Sequence, residues 1–304
     1  MQLDGIHHIS CITGDAPANL DFYTRVLGMR LVAKTVNQDD PGVYHLFYGD
    51  YEGSPGFDLT FFEYPGARPG RAGAGMVHRI AFRVASTAAI AYWRERLRAA
   101  GTATSDVDGE LHFKDPEGLG LSLVVDASGD QPLLPRHPDI TAEYDLRGFD
   151  HVEAYGDRLE GSARVLTEVM GATAIGAATW EARGPSRGGW IRFDEPPAER
   201  SVQGAGTVHD VAWATEPSEH DGWLERLHKG GVSSTPVIDR HYFRSIYFRE
   251  PSGVLYELAT KGPGFTVDDP LDALGRRLIL PPRFESRREQ IAAQLTPLPD
   301  VSRS

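Results

Sequence analysis

Four copies of one short pattern recur along this chain, and no other property narrows its fold as far. Strand-like segments repeat as Gly5-Ile6-His7-His8-Ile9-Ser10, Val77-His78-Arg79-Ile80-Ala81-Phe82, Phe149-Asp150-His151-Val152-Glu153-Ala154 and Val208-His209-Asp210-Val211-Ala212-Trp213. The matching positions are His8, Arg79, His151 and Asp210, roughly 60 to 70 residues apart, a period too long for a solenoid. Helical spacing follows each strand: Leu20, Tyr23 and Leu27 before Gly28, and Ile90, Trp93 and Leu97 before Gly101. In the second half it is Ala163, Leu166 and Val169 or Met170 before Gly171, then Trp223 and Leu227 before Gly230. Two or three β-like runs come next, such as 44–48, 111–114 and 245–249. The turn Phe113-Lys114-Asp115-Pro116-Glu117-Gly118 is echoed by Phe248-Arg249-Glu250-Pro251-Ser252-Gly253, with Pro and Gly at the offsets a hairpin requires. The expected unit is therefore βαβββ, used four times in an α+β fold.

A stretch rich in Pro, Asp and Gly at 127–148 separates the units into two pairs. The expected domains are residues 1–135 as an N-terminal pair of modules and 147–265 as a C-terminal pair. Residues 266–304 form an extension packing on the body, with one helix near 283–295. The 304 residues suit a duplicated domain. A formal charge of −12 repels phosphate backbones and anionic lipid, which argues against nucleic-acid and membrane partners. Cys11 is the one cysteine, so an intramolecular disulfide is impossible and the thiol reads as packing. Neither a bilayer-length apolar run nor a basic-then-apolar leader at Met1 is present, so the expected compartment is the cytoplasm.

Alternation along the last strand puts Val254, Tyr256 and Leu258 on one face and Leu255 and Glu257 on the other. A lone carboxylate in an apolar strand is costly to bury unless it is paired or binds a cation. Counting four residues from each turn glycine, the positions equivalent to Glu257 are Thr60, Ser122 and Phe193, so one unit alone offers a carboxylate there. If the first and fourth units share a curved sheet, His8, Asp210 and Glu257 converge, a donor set for Fe(II), Mn(II) or Zn(II). An arginine and a phenylalanine at the matching places of units two and three make a poor cation site, so one site per chain is expected. Glu257 pairing with a buried arginine and Asp210 serving a turn are the plainer alternatives. His45, His112, His137 and His241 lack repeat support and read as structural or solvent-exposed.

With these motifs the chain resembles the vicinal oxygen chelate superfamily, and within it the ring-cleaving dioxygenases of hydroquinones. The resembling stretches are 5–10 (GIHHIS), 36–50 (VNQDDPGVYHLFYGD), 75–84 (GMVHRIAFRV), 206–215 (GTVHDVAWAT), 237–260 (VIDRHYFRSIYFREPSGVLYELAT) and 262–265 (GPGF). The resemblance implies two domains with cup-shaped mixed sheets and an extradiol-type ring-cleaving dioxygenase using O2 on an aromatic diol. It places the metal ligands at His8, Asp210 and Glu257. Fe(II) is the implied ion, with Mn(II) or Zn(II) as alternatives. The family's usual His-His tract is His209-Asp210 here, which makes the site harder and more anionic. Asp210 ligation, loss of the metal and a register change bringing in His209 are the three outcomes, ranked in that order. By the same resemblance His7, His209, Arg240 and Tyr247 are catalytic candidates, and Tyr242 and Arg240 contact the substrate. A small aromatic substrate and O2 are the implied partners, and a homodimer is compatible but not needed for the site. Two other readings follow from Asp210: a glyoxalase-like metal lyase or isomerase, and a metal-free protein that sequesters a small molecule.

Overall fold

A computed structural model describes residues 1–299. The first module comprises β1 (Ile6–Thr13), α1 (Ala16–Asp21), β2 (Arg30–Val36), β3 (Tyr44–Gly49) and β4 (Asp58–Glu63). The second holds β5 (Met76–Val84), α2 (Thr87–Ala99), β6 (Thr104–Val107), β7 (Glu110–Lys114) and β8 (Gly120–Val125). The third holds β9 (Phe149–Tyr155), α3 (Leu159–Arg164), β10 (Thr173–Gly176), β11 (Thr179–Arg183) and β12 (Gly188–Asp194). The fourth holds β13 (Thr207–Thr215), α4 (His220–Lys229), β14 (Ile238–Asp239), β15 (Arg244–Arg249) and β16 (Leu255–Thr260). A 3-10 turn at Pro282–Arg287 and a short α5 (Arg288–Ala292) lie where the tail helix is expected, and residues 300–304 of the extension lie outside the described residues.

The α+β architecture of four βαβββ modules is as expected, and local chemistry explains the helices. The Asp15 carboxylate caps α1 at Ala18 N–H, and the Ser86 hydroxyl caps α2 at Ala89 N–H. The first and third helices each widen into one π turn, Phe22–Val26 and Val165–Val169. Gly28, Gly101 and Gly171 end their helical segments with positive φ, whereas in the fourth module that role falls to Gly231, one residue beyond the expected stop.

The modules combine across the chain. One eight-stranded sheet runs β14-β15-β16-β13-β1-β4-β3-β2 and joins modules four and one, while the other runs β10-β11-β12-β9-β5-β8-β7-β6 and joins three and two. The seam of the first sheet is β1 antiparallel to β13, with Ser10 opposite Asp210 and His8 opposite Ala212. The outer faces are apolar: Trp93 of α2 and Trp223 of α4 are fully buried with Leu59, Phe61, Tyr256 and Leu258. Cys11 is buried in this core as expected. Pairing also corrects one equivalence. Ala212 lies beside Glu257, and the corresponding neighbour of Glu153 is Arg192, so Arg192 rather than Phe193 matches Glu257 in the third module. The counting glycine there is Gly188, at the start of β12, and Phe193 belongs to the core.

The extension lies along β2. Leu278 bridges Lys34, Ile279 N–H donates to the Lys34 carbonyl at 2.9 Å, and Ile291 is buried. Among the described residues no helix is long and apolar enough to cross a membrane.

Candidate functional site

The inner face of the first sheet gathers the expected trio. His8, Asp210 and Glu257 are 2%, 2% and 1% exposed, and each offers a ligand atom within 4.8 Å of the others'. His8 comes from β1, Asp210 from β13 and Glu257 from β16, which are adjacent strands. Leu255 and Glu257 face inward, as alternation requires.

Strict alternation fails at two places, and both matter. The pairing of β1 with β13 shifts between Ile6 and His8 and between Ser10 and Cys11, which leaves His7 and His209 as extra residues at β-bulges. A bulge turns neighbouring side chains toward one side, so His209 and Asp210 both line the cavity, and the Nδ1 atoms of His7 and His8 meet at 3.0 Å. No register change along the strand is needed to bring both residues of the His209-Asp210 pair inward.

Hydrogen bonding fixes the protons. The Thr260 carbonyl can only accept, so His7 Nε2–H donates to it at 3.1 Å. Burial, with the neighbouring His8 charge, drives the His7 pKa well down, so His7 is neutral and its Nδ1 accepts from His8 Nδ1–H. His8 Nε2 then faces Glu257 Oε2 at 3.2 Å. Two lone pairs that close require a cation between them, either a proton or a metal. Without a metal it is a proton: burial alone would lower the His8 pKa, but Glu257, aided by Asp210 and Asp58, overrides it and raises it to about 9. Glu257 Oε1 is buried with no hydrogen-bond partner. Asp210 accepts from Ser10 Oγ at 3.1 Å and from His209 Nδ1–H at 2.5 Å. An orphaned carboxylate oxygen, a second carboxylate and an imidazole with its lone pair aimed inward fit a divalent ion.

This proton makes the chelator-treated chain pH-sensitive. A His whose folded pKa of about 9 exceeds its ordinary 6.5 gives its full stabilisation below pH 6.5 and loses it as pH rises through 9. Asp58, pushed by burial from 3.8 to about 8, acts in the same direction between those values. The thermal midpoint in EDTA is therefore expected to fall steadily from pH 6.5 to 9, and a flat profile would refute the His8–Glu257 proton.

Around the trio lies a cavity of about 340 Å³, enough for a single aromatic ring. Its walls include Phe47, Phe62, Phe243 and Tyr247, with Arg240, Tyr242 and His209 at polar positions and Pro281 of the extension at the rim. Arg240 Nε–H donates to the Tyr247 hydroxyl at 3.2 Å, and Nη1–H to Asp39 at 3.0 Å. Burial, with Glu257 and Asp210 nearby, keeps the Tyr247 hydroxyl protonated. His209 is raised: burial opposes its charge, but the bonded Asp210 outweighs that. His7 does not line the cavity and sits behind His8. His45 and His241, read as structural or solvent-exposed from sequence, do line it. The sign that could have found His45 is its alternation with Phe47 on a strand two places from β1.

In the second sheet the matching place is filled differently. Glu153 binds Arg79 at 2.9 Å and also Arg192, so arginines supply the positive charge beside His151. Glu110 and Glu153 lie near His151 Nε2, at 3.5 and 3.9 Å.

Paired βαβββ modules that hold an imidazole and two carboxylates inside one cup define the class as a vicinal-oxygen-chelate fold. The profile of the Glyoxalase/Bleomycin resistance protein/Dioxygenase superfamily matches residues 5–123 and 148–258, and the chain belongs to that family. It is 41% identical over 317 residues to MhqA of Bacillus subtilis, provisionally named a ring-cleaving dioxygenase, covering 98% of this chain and 100% of that one. It is 29% identical over 309 residues to a chlorohydroquinone/hydroquinone 1,2-dioxygenase of Sphingobium indicum, covering 95% of each. A crystal structure of a Bacillus subtilis protein superposes with a TM-score of 0.90 at 34% identity, covering 98% of both chains.

Proposed function

We propose that this chain is a metal-dependent ring-cleaving dioxygenase that takes a hydroquinone-type aromatic diol and O2. The observation that carries the reading is the opening of the buried His8–Asp210–Glu257 cluster into an aromatic-walled cavity, in a chain similar along its length to a hydroquinone dioxygenase. A para-diol has no adjacent pair of hydroxyls. The bond cut is therefore the one between a hydroxylated carbon and its neighbour, the extradiol-type position.

An ion held by His8, Asp210 and Glu257, with Fe(II) first and Mn(II) or Zn(II) as alternatives, would supply Lewis acidity and, as iron or manganese, an electron path between ring and O2. The protein's own groups do the rest. His7 holds the His8 ring in the tautomer that leaves Nε2 free. The Tyr247 hydroxyl, accepting from Arg240, can donate to a substrate oxygen, and the fixed guanidinium favours that oxygen as an anion. His209 carries a proton at Nδ1 against Asp210 and can exchange it at the cavity. The rings of Phe47, Phe62 and Phe243 exclude water from the aromatic face.

The test is O2 consumption by the anaerobically Fe(II)-loaded chain on addition of hydroquinone. Uptake matched by a ring-opened product containing both oxygen atoms is expected. No uptake with Fe(II) or Mn(II), while the ring is bound intact, would overturn the reading.

A further inference from the structure

We infer that His45 is the specificity-determining residue that binds the far hydroxyl of a para-diol, an inference that rests on the reading above. Beyond the metal-ligand trio, a para-diol presents a second oxygen across the ring. Something on the opposite wall must satisfy it, because a hydroxyl buried without a partner is costly. Several of the other polar ends at this cavity are already engaged. Arg240 is held by Tyr247 and Asp39, and His241 Nε2 binds Asp268 at 2.8 Å. The Tyr242 hydroxyl likewise bonds to Asp268.

His45 differs. It stands on β3, two strand spacings (roughly 9–10 Å) from β1 and level with Ile12, four residues along the sheet from His8. Its side chain reaches back along the sheet to Thr60, the register partner of the Ser10 that bonds Asp210. It therefore stands across the cavity from the trio, at the far end of a ring seated there. The imidazole lies between Phe47 and Phe62, with ring centroids 3.9 and 4.2 Å away, and its Nε2 meets Thr60 Oγ1 at 2.9 Å. Three contacts thus fix the ring, while Nδ1 is left for a ligand in the cavity that His45 lines. Burial holds the imidazole neutral, and the nearby His8, Arg240 and His209 charges reinforce this. A neutral imidazole matches a neutral phenolic hydroxyl, whereas a simple phenol offers it nothing.

Anaerobic calorimetry with hydroquinone and phenol tests this on the full, metal-loaded chain, without turnover. Wild type is expected to bind hydroquinone about tenfold tighter than phenol, and His45→Phe to reduce that preference to within about twofold while leaving phenol binding unchanged. His45→Gln, which restores a hydrogen-bonding group, should recover part of the preference. A folded His45→Phe that keeps the full preference overturns the role of His45 and leaves ring cleavage standing. One that loses phenol and hydroquinone alike also overturns it, because the residue then only shapes the cavity. A wild type indifferent to the second hydroxyl overturns both His45 and the para-diol substrate. If His45→Phe does not fold, the same ratio is read in His45→Ala.

Discussion

Glutamine at position 257 is expected to strip the chain of bound metal and to lower ring-opening turnover by more than about a hundredfold, beyond the usual cost of losing an outer partner of a ligand. Glu257 is almost fully buried, one oxygen faces His8 Nε2 and the other has no partner. An amide keeps the shape and removes the charge, so the change isolates ligation from packing. Metal content after dialysis and O2 uptake read it together; a variant that keeps one equivalent of metal and normal turnover would remove Glu257 from the site. The companion change is Asp210→His. It exchanges a carboxylate for the imidazole that the family resemblance implies at this place, and it is expected to retain or gain iron-dependent turnover.

Removal of Arg83 should produce the largest loss of stability. Its guanidinium is 2% exposed and binds Asp130 at 2.7 Å, Asp150 at 2.9 Å and the Gly188 carbonyl at 2.9 Å. Asp130 is held near 2: partial burial works against its charge, but Arg183, the Gly188 N–H and Arg83 together prevail. Arg83→Leu leaves these carboxylates without their central cation, and breaking such a buried pair costs about 3–5 kcal/mol. The thermal midpoint should fall by roughly 5–8 °C for a chain of this size. Differential scanning calorimetry checks it, and a shift under about 2 °C would mean that water replaces the arginine at little cost.

Both predictions concern groups that the sequence presents very differently. Glu257 was legible because a lone acid broke an apolar strand and no equivalent module had one. The repeat also made the fold legible, since four strands with matching neighbours leave few ways to build a sheet. Arg83 was not legible, as an arginine in a strand reads as a surface charge until Asp130 of the linker folds over it. Bulges at His7 and His209 were hidden for a related reason. A bulge is a property of two strands in register, and β1 and β13 lie about 200 residues apart in the chain. The same blindness to pairing put Phe193 where Arg192 stands. His45 escaped because its partners, Phe62 and Thr60, belong to the next strand.

The nesting of module one with four around two with three has a consequence for biosynthesis. A ribosome releases His8 early and Glu257 close to the finish, so a nascent chain carries an unmated β1 edge for most of its translation. The inner pair can close meanwhile, with Arg79 and Arg192 already paired to its Glu153. An ion held by the trio would then be loaded late, coupled to arrival of the last two strands, and chains terminated before β16 would emerge without Glu257 even with three modules complete.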